Sequence, residues 1–397
     1  MKTRHIILRS NSLATRDVWR GAATLQANTA DAAVQGLAAE SRDIDRRSIP
    51  FLTRDSGVIA VAPAVPMRLV SPFDTSDVPV AAQTVTWGVH AVAADTSPFT
   101  GEGIVVAVID TGIDSGHPAF AGVDLVQRDF TGEGNGDQHG HGTHCAGTIF
   151  GRAVNGTRIG VAPGVNRALI GKVLDSGGGG SSDHIVEAIL WAVEEGAHII
   201  SMSIGMDFGG YVKQLIDGGM PAELATSRAL EGYRTNTRLF DSLSEHVRAR
   251  GLQTHPTLII AAAGNESRRD QDPDFEVAVS PPAIAEGVVS VAALGESPAG
   301  YDTAPFSNTG ANVSAPGVAI VSAKLGGGLQ TMSGTSMATP HVAGVAALWA
   351  QQLAERNALN VFNLIGRLAG SATSNHLKQG FDPFDVGAGL VQCPQSV

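Results

Sequence analysis

Between residues 103 and 293 the chain repeats one pattern: a short apolar run rich in β-branched residues, then a longer segment with helical spacing. The apolar runs are 104–109, 168–174, 198–204, 257–263 and 287–293. Nearly continuous apolar runs of this kind fit strands buried on both faces. Residues 182–195 lie between two of them and put Ile185, Ile189, Ala192 and Val193 on one helix face. Strand and helix in alternation predict an α/β fold: a parallel sheet with helices on both faces, and ligands beyond the carboxyl ends of its strands.

The residues ahead of this pattern read differently. Residues 22–42 are alanine-rich and read as a helix, 57–62 reads as a strand, and 66–79 is a linker rich in Pro, Ser and Asp. A small α+β unit over residues 1–80, linker included, is therefore expected before a main domain over 81–397, with an exposed junction between them.

Composition narrows the class. With 43% hydrophobic and 16% charged residues the chain is globular rather than disordered or fibrous. The net charge of −11 comes without long single-sign blocks, so no nucleic acid and no membrane is expected as a partner. Two cysteines, Cys145 and Cys393, make no disulfide framework and mildly favour a reducing compartment. The start of the chain has too few consecutive apolar residues before Arg9 for a secretory signal, and no apolar run is long enough to cross a membrane. A cytoplasmic location is expected, with export by another route as the alternative. The 48 glycines exceed average usage and imply many tight turns and close backbone approaches.

Three segments carry candidate chemistry: Val108-Ile-Asp110-Thr-Gly112, His139-Gly-His141-Gly-Thr-His144, and Gly334-Thr-Ser336-Met-Ala-Thr-Pro340 at the start of a helix reaching about residue 355. Taken singly, an acid at a strand end is a turn former, a histidine cluster is a metal site or packing element, and a helix-start serine is a cap. Together they supply a hydroxyl nucleophile, a base to take its proton, and a carboxylate to fix the tautomer of the base. Asp, then His, then Ser is one of the chain orders in which this triad occurs.

On these segments, with Ala262-Ala-Gly-Asn265, the chain resembles the subtilisin-like serine proteases, the subtilases, over roughly residues 85–393. Cys145, directly after His144, places it nearer the proteinase K branch. The resemblance implies a serine endopeptidase with Ser336 as nucleophile, His141 as base and then acid, Asp110 as the orienting carboxylate, and the Asn265 side chain as oxyanion donor beside the Ser336 N–H. Pro340 is expected in the first turn of that helix, where a missing N–H costs least. It also implies a peptide or protein substrate bound as an added strand between Ser203-Ile204-Gly205 and Gly178-Gly179-Gly180, with Gly264 close by. No cofactor is required for this chemistry. A structural calcium ion is conceivable, but Ala119 stands where many secreted members carry an Asp ligand.

Through residues 56–65 the N-terminal unit resembles the family's inhibitory propeptide. That likeness implies an intramolecular inhibitor cut by the enzyme itself between about Val70 and Thr84. An insertion at about 206–235 continues into a helix from Pro221 to Gly251. Its apolar face holds Ala225, Ala229, Tyr233, Leu239, Phe240, Leu243 and Val247, for packing, for narrowing the cleft, or for a partner subunit in an oligomer.

Three rival readings stay open at this point. Asp110-Thr-Gly112 with Asp55 or Asp175 is an aspartic-protease pattern, although that fold is all-β. His139, His141 and His144 nearly spell a zinc-hydrolase ligand run, with Thr143 where an Asp should stand. A catalytically silent binding scaffold on the same fold is the third, against which none of the triad residues is replaced.

Overall fold

The structure is a computed structural model describing residues 2–11, 36–74, 83–251 and 254–396. The apolar runs form the centre of a sheet that has eight strands among the described residues. Its strands are β6 (Val105–Asp110), β7 (Asp124–Asp129), β8 (Arg167–Lys172), β10 (Ile199–Met202), β12 (Leu258–Ala262), β13 (Val288–Ser297), β14 (Gly300–Thr303) and β15 (Val313–Pro316). The spatial order is β14-β13-β12-β10-β6-β8-β7, with β15 also on β13, and only the β13–β14 pair is antiparallel. Alternate residues of β6 face opposite layers: Val106 and Val108 pack in one core, Ala107 and Ile109 in the other.

Helices α3 (His141–Phe150) and α7 (Thr335–Glu355) fill the first layer and are buried along nearly their whole length. The second layer holds α4 (Ser182–Glu194) and α6 (Ala222–Gly251), the latter 30 residues long. Short helices α1 (Ile49–Leu52) and α2 (Trp87–Ala91) lie earlier in the chain, and α5 (Phe208–Asp217) opens the insertion. The expected helix from Pro221 to Gly251 is therefore present, with its apolar face buried except for half-buried Tyr233.

Two expectations for the N-terminal part are corrected. Within the stretch read as helix, the described residues 36–42 lie in a strand, β2 (Gly36–Asp45), and 22–35 lie outside the described residues. Ten consecutive residues of β2 pair antiparallel with β1 (Lys2–Asn11), and that ladder outweighs the weak helix preference of its alanines. The expected strand is β3 (Val58–Pro63), on the other edge of β1.

The segment read as a linker is also extended structure. It contains β4 (Pro66–Leu69), paired with β9 (Gly179–Ser181) and β11 (Ile204–Met206). It continues into β5 (Phe73–Asp74), paired with β17 (Leu329–Ser333), which pairs in turn with β16 (Ile320–Ala323). Residues 75–79 lie outside the described residues. Prolines survive here because β4 begins with one and the next, Pro72, falls between β4 and β5.

Candidate active site

Asp110 closes β6 at the carboxyl edge of the sheet, and His141 opens α3. His141 Nδ1 donates to Asp110 Oδ1 at 2.8 Å, with both side chains buried. A second carboxylate holds the two segments together. Asp137 accepts from the backbone of His139, Gly140 and Thr143 and from the hydroxyls of Thr111 and Thr143. Thr111 Oγ1 in turn accepts from the Gly142 N–H at 2.9 Å. Burial would raise the Asp137 carboxyl, but these donors, Thr143 foremost, hold it below the ordinary value. The sequence offered no pattern for Asp137, an acid in a glycine-rich loop that also holds Glu133.

For His141, burial favours the neutral ring, yet the adjacent Asp110 carboxylate wins and raises the ring well above its ordinary 6.5. His144 goes the other way, to about 3, through burial and then the nearby His141. Its Nε2 donates to the Ile320 carbonyl at 3.0 Å, pointing it away from His141. His139, His141 and His144 thus do not converge on one point. Among the described residues, the ligand atoms within 4.8 Å of one another belong to Asp110, His141 and Cys145. Asp55 pairs with Arg9, and Asp175 closes its own turn on Gly177 and Gly179.

Ser336 is the second residue of α7, where a backbone N–H has no partner inside the helix. Pro340 is the sixth residue of α7 rather than a first-turn residue, which corrects the expected position. Its missing N–H leaves the Ser336 carbonyl, four residues back, without a helical donor. Ser203 Oγ at 3.3 Å and Cys145 Sγ at 3.4 Å donate to that carbonyl instead. The gap left by the proline thus lets Ser203 and Cys145 fix the Ser336 peptide unit to the floor of the site. Cys145 lies against the His141 ring, 3.7 Å from Nδ1 and 3.9 Å from Nε2, and burial raises its thiol.

Asn265 follows β12 across the cleft. Its Oδ1 accepts from Thr335 N at 2.9 Å and Thr335 Oγ1 at 2.8 Å, which leaves Nδ2 for the strand that crosses the cleft. Gly264 has φ of +117°, and a side chain there would run into Asn308 and Glu266. Its glycine serves the turn that aims Asn265, rather than contact with a bound strand.

The cleft is crossed by residues of the same chain. Leu69 N donates to the Gly178 carbonyl at 2.8 Å and Val70 N to the Ser203 carbonyl at 3.2 Å. Opposite them, β4 pairs Met67 with Met206, Arg68 with Gly205 and Leu69 with Ile204 on one side. On the other side Met67 pairs with Gly180 and Arg68 with Gly179. At Gly205 a side-chain carbon would fall 3.3 Å from Val70 Cγ2, so the glycine lets the strand approach. Ser336 Oγ donates to the Val70 carbonyl at 2.8 Å rather than to His141, and Asn265 Nδ2 donates to the Ser71 carbonyl at 2.9 Å. Every wall residue expected from sequence except Gly264 meets this strand.

The model described as the Subtilase family matches residues 101–382. The chain belongs to the subtilase family. Relatives include thermostable alkaline protease from Halalkalibacterium halodurans, 36% identical over 67% of this chain and 63% of that protein. Subtilisin DY from Bacillus licheniformis is 33% identical over 78% of this chain and 97% of its own length. Intracellular serine protease from Paenibacillus polymyxa is 34% identical over 62% of this chain and 67% of that protein. The match thus spans just under two thirds of the alkaline protease and nearly all of subtilisin DY.

The anchors of the Asn265 loop in this subtilase were not legible beforehand. Thr335 and Asn308 anchor the Asn265 loop, Asn308 by accepting from Glu266 N and Ser267 N. Ala119 is buried in a short turn of helix after His117. No helix among the described residues is long and apolar enough to cross a membrane.

Proposed function

We propose that this subtilase is a serine endopeptidase whose first substrate is its own Val70–Ser71 bond. The observation that carries the reading is the crossing of the chain at Ser336: both walls hold the strand in register up to Leu69, the Val70 N–H is on the Ser203 carbonyl, and the Val70 carbonyl is on the nucleophile's hydroxyl. In the reaction Ser336 Oγ passes its proton to His141 Nε2 and bonds to the Val70 carbonyl carbon. The oxyanion is held by Asn265 Nδ2 and the Ser336 N–H. His141 then protonates the Ser71 nitrogen as the C–N bond breaks, and water releases Val70 from the serine ester. Peptides of other proteins take the same strand position afterwards.

The arrangement before the cut is a waiting one. The serine proton points at Val70, and the Asn265 amide is taken by Ser71, one residue beyond the carbonyl it would serve. Covering residues Met67, Leu69 and Val70 are 2–4% exposed. Burying side chains of this kind contributes about 1.5–3 kcal/mol each before ordering costs. This supports an N-terminal segment that inhibits until it is cut and displaced. The N-terminal unit also meets α6: Asn236 Nδ2 donates to the Pro63 carbonyl at 3.0 Å, and Arg46 meets both Glu231 oxygens. For compartment we keep the cytoplasm, supported by two buried free thiols; cell fractionation tests it.

Labelling with a fluorophosphonate tests the activity. The processed protein should label, and Ser336→Ala should not. A processed protein that takes no label sinks the reading in favour of a silent scaffold.

A further inference from the structure

Resting on the reading just proposed, we infer that Asp207 and Glu266 form a cation clamp that selects Arg or Lys at the third residue before the scissile bond. Arg68 holds that place in the strand crossing the cleft. Its neighbours Met67 and Leu69 point inward, so the Arg68 side chain points out. Both strand partners of Arg68 are glycines, Gly179 and Gly205, and neither has a side chain to compete for it. Two carboxylates reach it from separate walls. Arg68 Nη1 lies 3.0 Å from Asp207 Oδ2, and Nη2 lies 3.5 Å from Glu266 Oε1.

Both acids are held in place by bonds that do not involve Arg68. Asp207 caps α5, its Oδ1 accepting from Gly210 N at 2.9 Å. Glu266 Oε2 accepts from Asn308 Nδ2 at 2.7 Å. Each carboxylate spends one oxygen on the scaffold and turns the other toward the cleft. Asp207 stands two residues beyond Gly205, on the same face of that strand, which is the diagonal cross-strand position from Arg68. Glu266 directly follows the oxyanion residue Asn265. When the N-terminal segment leaves, both acids stay on the rim, and a substrate strand in the same register would bring its own third residue between them. Asp207 also marks the start of the insertion, so the added α5 supplies the backbone that orients half of the clamp.

Asp207 is 28% and Glu266 41% exposed, so solvent screens the pairs and the preference is modest. Rim pairs of this kind support about a fivefold advantage in kcat/KM for Arg over Ala, with Glu poorer than Ala. The test uses enzyme matured from the full chain and three quenched peptides spanning the Pro66–Phe73 sequence, carrying Arg, Ala or Glu at the Arg68 position. The Arg-to-Ala ratio should fall toward one in Asp207→Asn/Glu266→Gln, whose amide oxygens can still accept from Gly210 and Asn308. It should also fall in wild type as salt is raised. Glu266→Lys, which leaves the α5 cap intact, should shift the ranking toward the Glu peptide. Equal cleavage of all three peptides by wild type, or a ratio that survives in the double variant, overturns the clamp while leaving the protease reading in place. No cleavage of any of the three by wild type removes the protease reading, and the clamp falls with it.

Discussion

Asn265 works through both ends of its amide: its oxygen is fixed by Thr335, which frees its nitrogen for the cleft. Removing the nitrogen in Asn265→Ala should slow turnover by about 10²–10³ with little change in KM, the size of a lost oxyanion donor. Thr335→Val keeps the shape but removes one of the two fixing donors, so kcat should fall by less, about fivefold, a single hydrogen bond being worth roughly 1 kcal/mol. His141 gives a second prediction at this scale. Its folded value is raised above 6.5, so its charged form contributes stability that is full below 6.5 and lost as pH rises through the raised value. The base must be neutral to accept the serine proton, so self-cleavage should accelerate over that same window. Asp110→Asn should move both transitions to lower pH and slow processing by about 10⁴; stopped-time processing and thermal melts of Ser336→Ala against pH check the pair. Asp110, His141, Ser336 and Asn265 were legible because their short motifs are characteristic. Asp137 and Thr335 were not, because each matters only through partners distant in sequence or hidden by geometry.

At the scale of elements, strands with continuous apolar runs were readable and the boundaries of α7 were not fully so. A proline placed by motif looks like a first-turn residue, but α7 begins at Thr335, and the cost of Pro340 is met by Ser203 and Cys145 from other elements. The stretch over residues 36–42 misled for the opposite reason: its alanines favour helix weakly, and the ladder to β1 decides. The insertion helix α6 was legible from its terminal Pro and Gly and its apolar face, but its second contact, with β3, was not. Asn236 Nδ2 donates to the Pro63 carbonyl at the end of β3, and a side-chain carbon at Gly232 would sit 3.1 Å from Cγ1 of Val65, two residues beyond that strand. Gly232→Leu should therefore loosen the N-terminal unit while favouring α6 itself by up to about 1 kcal/mol. In uncut Ser336→Ala protein, amide exchange should quicken in β3 and not in α6; equal protection in both would count against the contact. Arg46→Ala, which removes an exposed pair, should change stability by less than about 1 kcal/mol.

For the whole molecule, the sequence separated a leading unit from a large α/β part but treated what joins them as linker. Pro, Ser and Asp are linker-like in composition, yet 66–70 alternates buried Met67, Leu69 and Val70 with exposed Arg68, a pattern too short to read without the two walls it fits between. In the function proposed above, maturation and specificity join in one segment, since the strand that covers Ser336 would also display the residues the cleft accepts. The account stands or falls on where the chain is cut. Intact mass and N-terminal sequencing of purified protein should show a new terminus at Ser71, while Ser336→Ala prepared in parallel stays full length. An active protein that keeps its first 70 residues attached, or a Ser336→Ala chain cut at the same bond, would contradict it.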